Sequence, residues 1–171
     1  MKYHNKTITL LEVPGETALV YTITGCPLKC EGCHSKHTWK KGSGEDLDMQ
    51  TLTADLYLYN RMITAVCFMG GEWEEPDLIE ALTVCKSFNL KTCLYTGLPT
   101  VSDKLLPLLD YYKVGAYQEA LGGLDSKSTN QRFIAIVDGN AIDQTHKFQK
   151  GALTNLKSKR RSSSSTTTHK R

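Results

Sequence analysis

Apolar, β-branched runs of five to seven residues alternate with helix-period segments along this chain, and few architectures accept that order. The runs at 17–23, 63–69, 90–95, 111–117 and 133–137 are each long enough for a buried strand. Between the first two, Met49, Leu52, Leu56 and Tyr59 recur at helical spacing behind Asp48, a residue suited to capping a first turn. After the second, Pro76 opens a helix with Leu78, Ile79, Leu82 and Cys85 on one face, and Asn89 ends it. A helical turn over 102–109 precedes the fourth run, and Asp138-Gly139 closes the last. Strands joined through helices require crossovers, hence a mostly parallel sheet. A chain of 171 residues is too short for a complete eight-fold barrel, which takes about 250. The expected fold is therefore α/β: a partial, open βα barrel in a single domain.

Charge divides the chain unevenly. The formal net charge is +3, yet residues 157–171 (KSKRRSSSSTTTHKR) hold six Lys and Arg and no acid, which leaves 1–156 with 15 basic and 18 acidic residues. The domain is read as 1–156. The tail at 157–171 has no apolar face to bury, which predicts disorder, and no aromatics for base stacking, so it is read as solvated rather than nucleic-acid-binding. No run reaches the roughly 18 apolar residues of a membrane helix, and the first 15 residues lack a signal-peptide core. The expectation is a cytoplasmic protein without a membrane partner.

Six cysteines in a reducing compartment point away from a disulfide framework. Cys67, Cys85 and Cys93 are spread through apolar runs and read as small buried hydrophobes. Cys26, Cys30 and Cys33 differ, since they crowd into eight residues of the loop GCPLKCEGCH with C-x3-C-x2-C spacing. Pro27, Gly25 and Gly32 oppose a continuous helix there, so the thiols wrap around something from a loop. Such density fits a soft metal or an iron–sulfur cluster. Three thiolates leave one iron of a cubane open to a ligand, whereas structural zinc would need His34 or His37 as a fourth donor.

In parallel sheets, chemistry gathers at the carboxyl ends of strands. The cysteine loop follows the first run and Gly70-Gly71-Glu72 follows the second, so the two are expected on one edge. Paired glycines let a ligand approach the backbone, and a carboxylate beside them can receive an ammonium. An open cluster next to GGE suggests a ligand with an amino-acid head.

CPLKCEGCH and GGE together resemble the radical S-adenosylmethionine (SAM) enzymes, whose C-x3-C-x2-C loop and GGE-type motif follow successive barrel strands. Within that superfamily the chain is similar to the activating proteins of anaerobic ribonucleoside-triphosphate reductase. Gly25 to His34 match that subfamily's G-C-x3-C-x-G-C-[HY] pattern, with Gly32 where many radical enzymes carry an aromatic residue. Gly122-Gly123-Leu124-Asp125-Ser126 and Thr129-Asn130-Gln131-Arg132 match its later signature.

The resemblance implies a [4Fe-4S] cluster on Cys26, Cys30 and Cys33, with SAM at the open iron. It implies SAM contacts from Gly32, Cys33, His34, Gly70, Gly71 and Glu72. Reductive cleavage would yield a 5′-deoxyadenosyl radical that takes a hydrogen from a backbone glycine of the large reductase subunit. Reduced flavodoxin or a similar carrier would supply the electron. No catalytic residue beyond cluster and SAM is implied, because the cofactor carries the hard chemistry. A pyruvate formate-lyase-activating type, a 7-carboxy-7-deazaguanine synthase type and a non-catalytic zinc module stay open as alternatives.

Overall fold

The computed structural model describes residues 1–149, so the expected tail at 157–171 lies outside the described residues. Eight strands form one sheet: β1 (Lys2–Thr9), β2 (Ala18–Ile23), β3 (Glu45–Asp46), β4 (Ala65–Met69), β5 (Lys91–Tyr95), β6 (Tyr111–Val114), β7 (Arg132–Val137) and β8 (Asn140–Asp143). Two helices, α1 (Met49–Tyr59) and α2 (Glu75–Ser87), connect β3 to β4 and β4 to β5. The strand order is β3-β1-β2-β4-β5-β6-β7-β8.

The sheet is mixed rather than mostly parallel. Its centre, β2-β4-β5-β6, is parallel as the alternation requires, while β1 and β3 on one side and β7 and β8 on the other pair antiparallel. The edge strands β3 and β8 lie at opposite ends, so the sheet stays open. The strands outside the centre are where sequence patterning is weakest. β1 (KYHNKTIT) buries only Tyr3 fully, so its strand character comes from pairing with β2 rather than from an apolar face. β8 is exposed throughout and exists because Asp138 (φ 51°) and Gly139 (φ 76°) form a two-residue hairpin turn with both central φ positive. β6 stops three residues short of its expected end, because Gly115 (φ 98°) turns the chain and donates its N–H to the Leu98 carbonyl instead.

Alternation along β2 sends Leu19, Tyr21 and Ile23 to one face and Ala18 and Val20 to the other. On the first face Leu52 and Leu56 of α1 and Leu78, Ala81, Leu82 and Cys85 of α2 are fully buried against the sheet. Each such leucine contributes roughly 1.5–3 kcal/mol. Asp48 caps α1 by accepting the Thr51 N–H at 2.7 Å, and α2 ends where Asn89 turns left-handed (φ 57°). Asp55 of α1 accepts the Tyr21 hydroxyl at 2.7 Å and both of its oxygens take Lys6 Nζ at 2.7 and 2.8 Å, fixing α1 on β1 and β2.

The second face carries small side chains, among them Ala65, Cys67 and Cys93, covered by Val13, Phe133 and partly by Leu124 and Phe148. Cys67, Cys85 and Cys93 are all fully buried, as read from their apolar settings. No helix among the described residues is long and apolar enough to cross a membrane.

Candidate functional site

The carboxyl ends of β2, β4, β5 and β6 surround a cavity of about 210 Å³. After β2 the chain turns at Gly25 (φ 91°), and the Gly25 and Cys26 N–H groups both donate to the Thr38 carbonyl at 2.6 and 3.2 Å. That anchor folds 26–38 into a closed loop. Within it Lys29 (φ 47°) and Gly32 (φ 71°) take left-handed conformations, which turn the backbone back so that Cys26, Cys30 and Cys33 all line the cavity. Cys33 Sγ accepts the Ser35 N–H at 3.3 Å, which ties the third cysteine to the backbone after it. Burial pushes the Cys26 thiol up, partly offset by N–H groups at 28 and 29.

The opposite wall follows β4. Gly70 lines the cavity, and Gly71 (φ 107°) reverses the chain into a 3-10 turn, Glu72–Glu74, that brings Glu72 inward. A side chain at Gly70 (φ 88°) would overlap the Trp73 indole, whose Nε1 donates to the Thr24 carbonyl at 3.2 Å. The indole thereby ties the GGE turn to the start of the cysteine loop. The glycines are thus set by left-handed backbone and by the indole packed over Gly70.

Glu72 holds the most telling atom of the site. Its Oε1 accepts the Thr96 hydroxyl at 2.6 Å, while its Oε2 is buried with no partner. Burial raises the carboxyl above its usual range, against the Thr96 hydrogen bond and the nearby Lys113 charge. A buried acceptor left unpaired costs about 1–3 kcal/mol, so such an oxygen is expected to meet a donor from a ligand. Lys113 on β6 is itself buried at the cavity wall and donates to the Gly115 carbonyl at 2.8 Å. Burial lowers its ammonium to about 8, opposed by Cys30, Glu72 and Cys33.

A second, larger groove of about 610 Å³ opens from this cavity and shares Cys33, Tyr95, Lys113, Tyr117 and Gln131 with it. Leu11, Glu12, Leu124, Asp125 and Phe148 are among its other lining residues, and Leu11 is 78% exposed. Residues 129–132 work as a lashing beneath it. Asn130 Nδ2 donates to the Ala116 carbonyl at 3.0 Å, Gln131 Nε2 to the Gly115 carbonyl at 3.3 Å, and Arg132 Nη1 to the Thr129 carbonyl at 2.8 Å.

Of the residues singled out from sequence, Cys26, Cys30, Cys33, Gly70 and Glu72 line the cavity. His34 lines the adjoining groove, its ring 4.7 Å from that of Tyr117. Gly32 and Gly71 line neither, and act through their backbones; a Cβ at Gly32 would crowd the Glu119 side chain at 3.0 Å. Sequence reading missed Lys113, Thr96 and Trp73. Lys113 had a signal, a single charge inside a run otherwise read as a buried strand.

Among the described residues no three His, Cys, Asp or Glu side chains converge as ligands of one metal ion. A zinc site needs four donors about 2.0–2.3 Å from a single point, and neither His34 nor His37 lines the cavity. His37 packs its ring 4.4 Å from that of His4. An iron–sulfur cubane takes its thiolates at separate irons, so three thiols spread around one cavity fit it. The donor set, the unpartnered carboxylate oxygen and the buried ammonium together fit a cluster and a charged ligand with an amino-acid head.

Residues 12–134 match the family model described as a 4Fe-4S single cluster domain. A pyruvate formate-lyase-activating enzyme of Clostridium pasteurianum is 31% identical over 98 residues, covering 54% of this chain and 41% of the relative. The same-named enzyme of Listeria monocytogenes is 29% identical over 117 residues, 61% and 47% respectively. The chain thus spans less than half the length of these two relatives. An anaerobic ribonucleoside-triphosphate reductase-activating protein of Enterobacteria phage T4 is 29% identical over 133 residues, covering 71% of this chain and 85% of the phage protein.

Proposed function

This chain belongs to the 4Fe-4S single cluster domain family, and from that premise we propose that it is a radical SAM activating enzyme that installs a glycyl radical on a partner protein. The observation that carries the reading is the shared cavity of Cys26, Cys30, Cys33 and Glu72, with Glu72 Oε2 lacking a partner. The three cysteines hold the [4Fe-4S] cluster. When bound, cluster and SAM supply a 5′-deoxyadenosyl radical through one-electron reduction. Glu72 Oε2 accepts the ammonium of the methionine moiety, and Thr96 keeps the carboxylate aimed by holding Oε1. Lys113 sets a positive charge on the cavity wall near Cys30, Glu72 and Cys33, where it offsets the negative charge of cluster ligands and of a substrate carboxylate. Trp73 and Met69 give the cavity apolar wall surface beside these polar groups.

The groove beside the cavity suits a macromolecular substrate. It is open, it borders Cys33 and Lys113, and its lining offers exposed Leu11 to an incoming loop. We read residues 1–156 as one radical SAM domain whose parallel centre is the partial barrel. The target favoured is the large subunit of anaerobic ribonucleotide reductase. Its support is the phage relative matched over 85% of its length, together with residues 122–126 and 129–132, which resemble that subfamily's signature. The similarity to enzymes named for pyruvate formate-lyase favours a second reading, with that enzyme as the target.

The test is to reconstitute the protein without oxygen, add dithionite and SAM, and incubate it separately with each candidate target. A glycyl-radical EPR doublet on the reductase and none on pyruvate formate-lyase is the expected result. The reverse outcome overturns the choice of target, and a chain that binds no cluster overturns the whole reading.

A further inference from the structure

Cys33, Ser35, Tyr95, Lys113, Tyr117 and Gln131 line both the cysteine cavity and the groove beside it, so they mark where the two meet. Two of these side chains are polar and more than nine-tenths buried: Lys113 at 9% exposure and Gln131 at 6%. Lys113 has an account in the charge of the site, whereas Gln131 has none so far. Burying an amide is unfavourable unless both of its ends find partners.

Gln131 is held in place from several sides. Its backbone N–H donates to Thr129 Oγ1 at 3.1 Å, and Asn130 Nδ2 beside it donates to the Ala116 carbonyl at 3.0 Å. Gly115 (φ 98°) runs so close that a Cβ there would stand 3.2 Å from the Gln131 Cα. Gln131 Nε2 donates to the Gly115 carbonyl at 3.3 Å, and the same carbonyl takes Lys113 Nζ at 2.8 Å, which uses both of its lone pairs. The side-chain oxygen, Oε1, accepts no hydrogen bond from the described residues. One N–H and this oxygen are therefore left over where cavity and groove join. Together they are the neutral counterpart of a peptide group, which offers one donor and one acceptor.

Resting on the proposed activity, we propose that Gln131 is a substrate-binding residue whose carboxamide hydrogen-bonds the backbone of the partner's loop beside the glycine, with Oε1 accepting a peptide N–H. Main-chain bonds of this kind fix an extended segment whatever its side chains, which suits a reacting residue that has none. A loop fastened at the junction brings its glycine next to the cavity rather than further along the groove. Because Lys113 and Gln131 share the Gly115 carbonyl, the charged group of the cavity and the amide that receives the peptide hang from one backbone position. The competing occupant is the adenosyl end of SAM, and SAM affinity separates the two.

The test uses anaerobically reconstituted full-length protein and fluorescein-labelled peptides that span the radical-bearing glycine of each candidate target. Binding is followed by anisotropy with SAM present and the cluster left oxidised, so that no turnover occurs. Gln131→Met, similar in length and without donor or acceptor, should bind the peptide about 3- to 10-fold more weakly. Its cluster absorbance and SAM affinity should match wild type. Replacing one of the two peptide bonds flanking the glycine by an ester removes a single N–H. At one of these bonds the ester should weaken binding to wild type by a similar factor and leave binding to Gln131→Met unchanged, the signature of a direct bond between the two groups. Should Gln131→Met fail to load a cluster, Gln131→Glu, which keeps an acceptor at the same reach, should retain the ester penalty. Equal binding of amide and ester peptides by wild type overturns this inference. So does a Gln131→Met protein that binds peptide normally, or one that loses SAM affinity instead, since the amide then belongs to the SAM site. In each of these cases a wild type that still cleaves SAM leaves the activating-enzyme reading standing, whereas a wild type that loads no cluster overturns both.

Discussion

Replacing Glu72 by Gln separates a ligand-binding carboxylate from one that only ends a strand. In the structure Oε1 is already held by Thr96 at 2.6 Å, and a glutamine carbonyl oxygen can keep that bond. What changes is the second oxygen, buried and unpartnered, which becomes an amide NH2 that cannot accept an ammonium proton. One charge-assisted hydrogen bond is lost, worth about 1.5–3 kcal/mol. At about 1.4 kcal/mol per decade, SAM affinity should fall some 10- to 150-fold. The ligand-free protein should move the other way. Because burial raises the Glu72 carboxyl, its ionised form destabilises the folded state. That penalty is absent below the unfolded value of about 4.3, grows as pH rises through the raised folded value, and is complete above it. Gln removes it, so the apo-variant should be at least as stable as wild type at pH 7, and its stability should depend less on pH between those limits. Isothermal titration of the reconstituted protein with SAM, alongside thermal unfolding of the apo-protein across pH, measures both. Wild-type SAM affinity, or a variant that melts lower at pH 7, refutes the argument.

Cys26→Ala, Cys30→Ala and Cys33→Ala should each abolish the iron–sulfur absorbance, while Cys67→Ala, Cys85→Ala and Cys93→Ala keep it and lose only about 1 kcal/mol of stability from lost burial, read by visible spectra and thermal melts. Gly70→Ala forces a left-handed alanine, costing about 1–2 kcal/mol, and displaces the Trp73 indole; Trp73 fluorescence should shift and SAM binding weaken while Gly139→Ala, at the distant hairpin, leaves SAM binding alone. Asp55→Ala strands the buried Tyr21 hydroxyl and unpairs Lys6, so it should cost about 3 kcal/mol, lowering the melting temperature by roughly 6–12 °C with SAM affinity intact in the surviving fold.

Local chemistry made much of this protein readable from its residues. The parallel centre follows from β-branched runs alternating with capped helical faces, because a run apolar at every position has to be covered on both sides. Asp48 and Asn89 mark helix ends through their own side-chain and backbone preferences, which need no tertiary partner. The three thiols and GGE are also local, and their meeting at one edge follows from each lying directly after a parallel strand.

Only the folded chain decided the rest, and the reason is that the deciding contacts are distant in sequence. β1 has almost no apolar face and becomes a strand by pairing with β2, so the sheet is more antiparallel than its patterning implies. The glycines of the GGE turn answer to left-handed backbone and to Trp73, which in turn reaches Thr24 across 49 residues. Lys113 looks like a stray charge in a strand until β6 is laid beside β5, which places it in one cavity with Cys30, Cys33 and Glu72. Sequence names the side chains able to do this chemistry. Which of them are desolvated together, and hence which charges must find partners, is fixed by packing alone.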